Sequence, residues 1–202
     1  YFPAMTVAVP SLAQDVEKTR RERLFTVDQF YRLAEAGELG PDHQRLELIE
    51  GKILEPMPIG PAHATVVTQV YSILSLRVGP SFLVRSQNPI RLSDLSEPLP
   101  DVSVVRHRPD KYRAAHPRPE DVLLVVEVSD STLEFDLGQK AKVYAEAGIV
   151  EYWVLDLVSE RLRIFRRPEQ GEFTESLIAR RGQTVEARAI PGVSVAVQDL
   201  LG

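Results

Sequence analysis

The chain has 202 residues, with 24 Lys and Arg against 29 Asp and Glu, a formal net charge of −5. Hydrophobic residues make up 44% of it and cysteine is absent, which leaves material for a sizeable core but excludes a disulfide scaffold, a thiol nucleophile and a cysteine-ligated zinc site. A net acidic chain is also a poor non-specific ligand for nucleic acid, so any such role needs a local basic surface.

No apolar run approaches the 18 or so residues of a membrane-spanning helix, and the N-terminus lacks the basic and apolar stretches of a secretory signal; a cytoplasmic protein is the expectation. Residues 1–23 show no clear period and are expected to form a mobile arm, with a single domain over 24–202. Thr26 and Gln29 fit a capping box, stapled by Phe25 and Phe30, which predicts a short helix ending near Ala36-Gly37. Residues 45–55 alternate well enough for two strands turning at Glu50-Gly51. Pro61 suits the first position of a helix whose apolar side includes Val66, Val70, Ile73 and Leu74, stopped by Gly79-Pro80.

Three strand-like runs follow, at 82–92, 101–106 and 121–129, the last two separated by a loop rich in Pro, Arg and His. A second helix is predicted over 135–147, ended by Gly148. Residues 151–157 read as a strand with 161–166 as its hairpin partner, and short strands are expected near 173–178, 184–188 and 193–197. Strand, helix, strand over 121–157 is a βαβ unit, so part of the sheet should be parallel. The fold class expected is α/β, a mixed sheet flanked by helices.

Glu127 is the most informative residue, because it interrupts VLLVVEV, an otherwise fully apolar run. A buried carboxylate needs compensation, from solvent at a strand end, from an arginine, or from a functional partner. Asp101 follows Pro100 at a strand start, which is ordinary turn chemistry. If its strand neighbours that of Glu127, however, two carboxylates meet on one face, and oxygen ligands of that kind suit a hard cation such as Mg²⁺. Lys140 falls on the side of its helix marked by Leu137, Ala141 and Tyr144; it either snorkels, paired with Asp136, or brings a cation to the carboxylates. Glu47 alternates with Leu46 and Leu48 and either faces solvent or joins the acids. His63, in the first turn of its helix, is either an exposed polar residue or a neutral imidazole able to take a proton.

No glycine-rich phosphate loop, nucleophile elbow or zinc-type histidine spacing is present. The 106–118 loop carries Arg106, Arg108, Lys111, Arg113 and Arg118 against one acid, and 161–167 carries Arg161, Arg163, Arg166 and Arg167 with none. Both are either solvated faces or contacts, the first for nucleic-acid phosphates and the second for phosphates or a homodimer.

Asp101 after Pro100, Glu127 on the next strand inside an apolar run, and then a lysine resemble the PD-(D/E)XK nuclease superfamily. More narrowly, residues 45–165 resemble the Uma2 family of restriction-endonuclease-like proteins. The segments that carry this are ELIEGKILE, PAH at 61–63, LPDVSVV, LVVEVSDST and DLGQKAKVYAEAGIVEYWVLD. The resemblance implies a restriction-endonuclease-like core and a metal-dependent phosphodiesterase acting on DNA. In it Asp101 and Glu127 bind Mg²⁺ or Mn²⁺, with the Val128 carbonyl as a third ligand and Glu47 as a further carboxylate. Lys140 would act on the attacking water or the transition state, and His63 would orient its neighbours. DNA contacts would come from Arg106, Arg108, Lys111 and Arg113. One departure stands out: the superfamily's lysine lies two residues after the glutamate, where this chain has Ser129. A module that keeps the fold and binds nucleic acid or protein without cutting is the alternative.

Overall fold

Two runs that are apolar on both faces of a strand, Val122–Ser129 (β5) and Glu151–Asp156 (β6), form the middle of a six-stranded sheet in which every residue of both is buried. The computed structural model describes residues 23–202; the expected arm lies, apart from Arg23, outside the described residues. Around the central pair stand β3 (Phe82–Ser86), β4 (Val102–Arg106), β7 (Arg161–Glu169) and β8 (Glu172–Arg180), in the order β3-β4-β5-β6-β7-β8. β5 and β6 are parallel, as the βαβ reading requires, and every other pair is antiparallel. The mixed sheet flanked by helices is therefore the architecture expected.

Alternation assigns the two faces. Leu124, Val126 and Val128 of β5 join Trp153 and Leu155 of β6 in one core, closed by α2 (Pro61–Arg77) through Val66, Val67, Val70 and Leu74. Val125 of β5 faces the other way, with Tyr152 and Val154, under α3 (residues 133–146), which contributes Ala141, Val143 and Tyr144. Glu127 has the parity of Val125 and so points at α3. This parity, set by the period of two, is what places a carboxylate between sheet and helix.

Several expectations change. The strand expected over 82–92 stops at Ser86, because Gln87 turns to φ 50° and its N–H bonds the Asp101 carbonyl at 3.0 Å. Asp101 precedes β4 rather than starting it. The helix expected over 135–147 begins at Leu133 and contains a wider π-helical turn, Asp136–Lys140, before Ala141–Glu146 closes it. The tail does not extend the main sheet. The strands expected near 184–188 and 193–197 form as Thr184–Glu186 (β9) and Ser194–Ala196 (β10), an antiparallel pair of their own that follows β8 of the main sheet in the chain, and an unexpected short helix, α4 (Val197–Leu201), comes next on the α2 side.

Before the sheet lie α1 (Val27–Glu35), with its capping box at Thr26 and Gln29, and the hairpin β1 (Glu47–Ile49) and β2 (Lys52–Leu54). Glu50 (φ 49°) and Gly51 (φ 78°) both take positive φ, the signature of a type I′ turn. A Cβ on Gly51 would lie 2.7 Å from the Leu24 Cβ. Gly51→Ala is therefore expected to destabilise the fold by about 1–2 kcal/mol or more. The urea midpoint should fall with an unchanged m value; an unshifted midpoint would refute the turn assignment.

Candidate active site

The sequence places its chemistry on four separate elements, and the fold brings them to one end of the sheet. Register does the first part. Val102 of β4 pairs with Val126 of β5, so the next residue outward on each strand is Asp101 and Glu127. The Asp101 N–H donates to Glu127 Oε2 at 3.3 Å, and Asp101 Oδ2 accepts the Val128 N–H at 2.9 Å. On a strand the N–H and C=O of one residue point the same way, so the Val128 carbonyl also faces the gap that β4 leaves open.

Helix α3 does the second part. Its π-helical turn carries Asp136 and Lys140, both buried, and Tyr144 follows one turn later. The Lys140 ammonium lies 3.0 Å from Glu127 Oε1 and 3.0 Å from Glu47 Oε1. Tyr144 donates its hydroxyl to Glu127 Oε1 at 2.8 Å. Lys140 is thus neither a snorkelling surface lysine nor the partner of Asp136. Asp136 instead accepts hydroxyls from Ser129 (2.6 Å) and Thr132 (2.7 Å). Ser129, two residues after Glu127, ties α3 to β5, while Lys140 delivers the ammonium from the helix.

Glu47 does not face solvent. Its Oε1 accepts the Leu99 N–H at 2.7 Å as well as Lys140. His63, in the first turn of α2, holds Asp101 Oδ2 through Nε2 at 3.2 Å, and its buried Nδ1 has no partner among the described residues. All five predicted site residues, Glu47, His63, Asp101, Glu127 and Lys140, line one cleft of about 550 Å³. Tyr144 was missed as a site residue, although it sits four residues after Lys140 on the same side. Arg45 was missed too; it lines the cleft and is exposed, and no register or period marks it in the sequence.

The basic loop does not border this cleft. Five residues of β4 carry the chain about 17 Å from Asp101 before Arg106 is reached. Arg108 is paired with Asp110 and lies over the Tyr112 ring, while Arg106, Lys111 and Arg113 are exposed. On the hairpin, Arg166 is buried and held by Glu151 at 2.7 Å, so it faces its own chain rather than a partner.

The electrostatics follow from burial. Burial pushes the Glu127 carboxyl well above its usual range; Lys140 pulls it back, and Asp101, Asp136 and Glu47 push it up again. Burial opposes the Lys140 charge, but Glu127, Glu47 and Asp136 more than offset this and raise its pKa. One ammonium shared between two carboxylates keeps its proton, while Glu127, with three further acids around it, resists ionisation. The bond to Asp101 raises the His63 imidazole against burial, which lowers it.

Among the described residues no three His, Asp or Glu side chains converge on a cation site by themselves. The donors fit a hard divalent ion nonetheless. Two carboxylates and a carbonyl aimed into one gap are oxygen ligands, and Asp101 Oδ1 is engaged here through a long 3.5 Å contact from Gln87. Ions such as Mg²⁺ commonly take one or two carboxylates and complete their shell with water and phosphate oxygens.

The family model of Uma2, described as "putative restriction endonuclease", matches residues 27–198. Among solved structures, the chain is similar to one described as a "putative nuclease belonging to DUF820" from Anabaena variabilis. The two are 19% identical with a TM-score of 0.69, over 88% of this chain and 97% of the other. At that identity the likeness speaks for the fold. No curated protein matches the chain.

The raised Glu127 pKa has a sign that unfolding can read. The native state holds this proton more tightly than the unfolded chain, so its contribution is complete below about pH 4.3 and lost as pH rises through the native titration. Glutamine does not titrate. In chelator-treated protein, the stability of Glu127→Gln relative to wild type should therefore rise between pH 4 and pH 8, measured by urea unfolding. A difference that stays constant or falls would contradict the assignment.

Proposed function

The chain belongs to the Uma2 family, and from that membership we propose that its cleft hydrolyses phosphodiester bonds in DNA with the help of Mg²⁺ or Mn²⁺. The observation that supports this most is the convergence of Asp101, Glu127 and the Val128 carbonyl on one gap, with a buried lysine beside them. Asp101, Glu127 and Val128 would hold the ion, which when bound supplies Lewis acidity and an activated water.

The chain's own groups do the rest. His63 fixes the Asp101 carboxylate, and Tyr144 and the Asp101 N–H fix that of Glu127, so both oxygen ligands are oriented in advance. Water attacks phosphorus in line; the new P–O bond forms as the bond to the leaving oxygen breaks, and that oxygen departs with a proton. Lys140 places fixed positive charge where negative charge builds on the phosphoryl oxygens. Glu47 shares that ammonium and sets where it points. Arg45, exposed in the lining of the cleft, would meet a flanking phosphate, and Arg106, Lys111 and Arg113 would contact the duplex farther away.

One observation favours a second reading, a binding module without catalysis. The Lys140 ammonium already lies against both Glu47 and Glu127, where it offsets part of the negative charge that an added ion would otherwise meet.

Calorimetric titration of Mn²⁺ separates the two. Binding is expected in the wild type and should weaken at least about tenfold in Asp101→Asn and in Glu127→Gln, with metal-dependent cleavage lost in both. Equal heats in all three proteins, with and without a short DNA duplex present, would favour the binding module.

A further inference from the structure

A second cavity, of about 340 Å³, opens beside the catalytic cleft and shares Gln44 and Leu99 with it. Its walls are largely apolar, with Phe30, Tyr31 and Ala34 contributed by α1. Among them lies Glu97, which is 3% exposed. Tyr31 donates its hydroxyl to Glu97 Oε1, while Glu97 Oε2 is buried with no partner among the described residues. Burial raises the Tyr31 pKa, and its bond to Glu97 raises it further, so the hydroxyl remains a donor and cannot satisfy a second acceptor.

A buried carboxylate oxygen without a donor is costly. The backbone shows that the position is held firmly rather than left by accident. The Glu97 N–H donates to the Leu48 carbonyl at 2.7 Å, and the Leu48 N–H returns to Glu97 at 3.3 Å. Glu97 is thus pinned to β1, the strand that carries Glu47. Only four residues separate it from Asp101, a span of at most about 14 Å. A DNA strand advances about 3.4 Å per nucleotide, so this cavity lies within roughly four nucleotides of a phosphate held at Asp101.

A largely apolar cavity with two aromatic rings and an unpartnered carboxylate oxygen at Glu97, with Glu35 and Gln44 also in its lining, has the chemistry that recognises a base taken out of its stack. A carboxylate accepts from an exocyclic amino group, as from N4 of cytosine, and opposes the O4 acceptor of thymine. On the other rim of the catalytic cleft, Met57 and Ile59 are 60% and 41% exposed. Apolar side chains in such positions act as wedges that unstack neighbouring bases.

We propose that the Glu97 cavity receives one unstacked nucleobase of the substrate and selects bases that bear an exocyclic amino group, an inference that rests on the nucleic-acid reading above. Glu97 is the acceptor, Tyr31 fixes its orientation, and α1 supplies the apolar wall.

The test is anisotropy of fluorescein-labelled single-stranded decamers, dC10, dA10 and dT10, with the full chain in chelator at low salt. Wild-type protein is expected to bind the better of dC10 and dA10 about tenfold tighter than dT10. Glu97→Gln keeps an acceptor for Tyr31 but removes the charge. Ala34→Leu fills the cavity from a helix position without touching Glu97. Each should reduce the preference to within about twofold and leave dT10 affinity unchanged, with thermal unfolding confirming that both variants fold. Equal binding of all three decamers by the wild type, or a preference that survives both substitutions, overturns the pocket and leaves the nuclease reading intact. Absence of binding to any decamer overturns the pocket as well; the Mn²⁺ titration and duplex cleavage then judge the nuclease reading separately.

Discussion

The Lys140 ammonium, buried with Glu127 and shared between it and the half-buried Glu47, is the interaction on which the rest of this end of the molecule depends. Three segments, β1, β5 and α3, are joined at one point, which the Ser129–Asp136 and Tyr144–Glu127 bonds between β5 and α3 reinforce. Taking three charged groups out of water costs several kcal/mol for each ion, and the cost is recovered only if geometry is good and every remaining lone pair is satisfied. The surroundings meet much of that condition: Tyr144 and the Asp101 N–H bond both oxygens of Glu127, and the Leu99 N–H adds a second donor to Glu47 Oε1. A buried charge cluster of this kind adds little net stability, but breaking one member leaves the others uncompensated.

That arrangement brings a lysine to Glu127 from the helix, while position 129, two residues along the strand, holds a serine. The π-helical turn puts Asp136 and Lys140 on the buried side together. Its Asp136 carbonyl, which takes the wide i→i+5 bond, is also capped by the Tyr152 hydroxyl at 3.0 Å. Turns of this type cost regular hydrogen bonding and are found disproportionately at functional positions. Ser129 and Thr132 then hold Asp136, so the helix is fixed at both ends of the wide turn.

The opposite end of the sheet shows the same physics used for structure alone. Glu151 is buried with Arg166, and its two oxygens also accept the Trp153 indole N–H and the Ala189 N–H. Every acceptor there has a donor within the chain, and the arginines that look like a partner surface in the sequence are partly consumed by it. At the cleft end His63 Nδ1 and Glu97 Oε2 have no partner among the described residues, as is also true of Ser103 Oγ and Arg163 Nε elsewhere in the molecule.

The sequence by itself determined the sheet's centre, the βαβ unit, both long helices and the identity of the five cleft residues. Those rest on short-range signals: periods of 2 and 3.6, capping residues, and a carboxylate in an apolar run that needs an explanation. The family likeness carried their grouping. Only the tertiary structure decided how the groups are paired. Whether Lys140 meets Asp136 or Glu127 depends on a wide turn within one helix, and whether Glu47 faces water depends on how residues 87–101 fold over β1. The distance from the basic loop to the cleft depends on the direction of β4. The C-terminal helix and the Glu97 cavity likewise leave no periodic trace, because they arise where segments distant in the chain pack together, and local pattern does not encode that proximity.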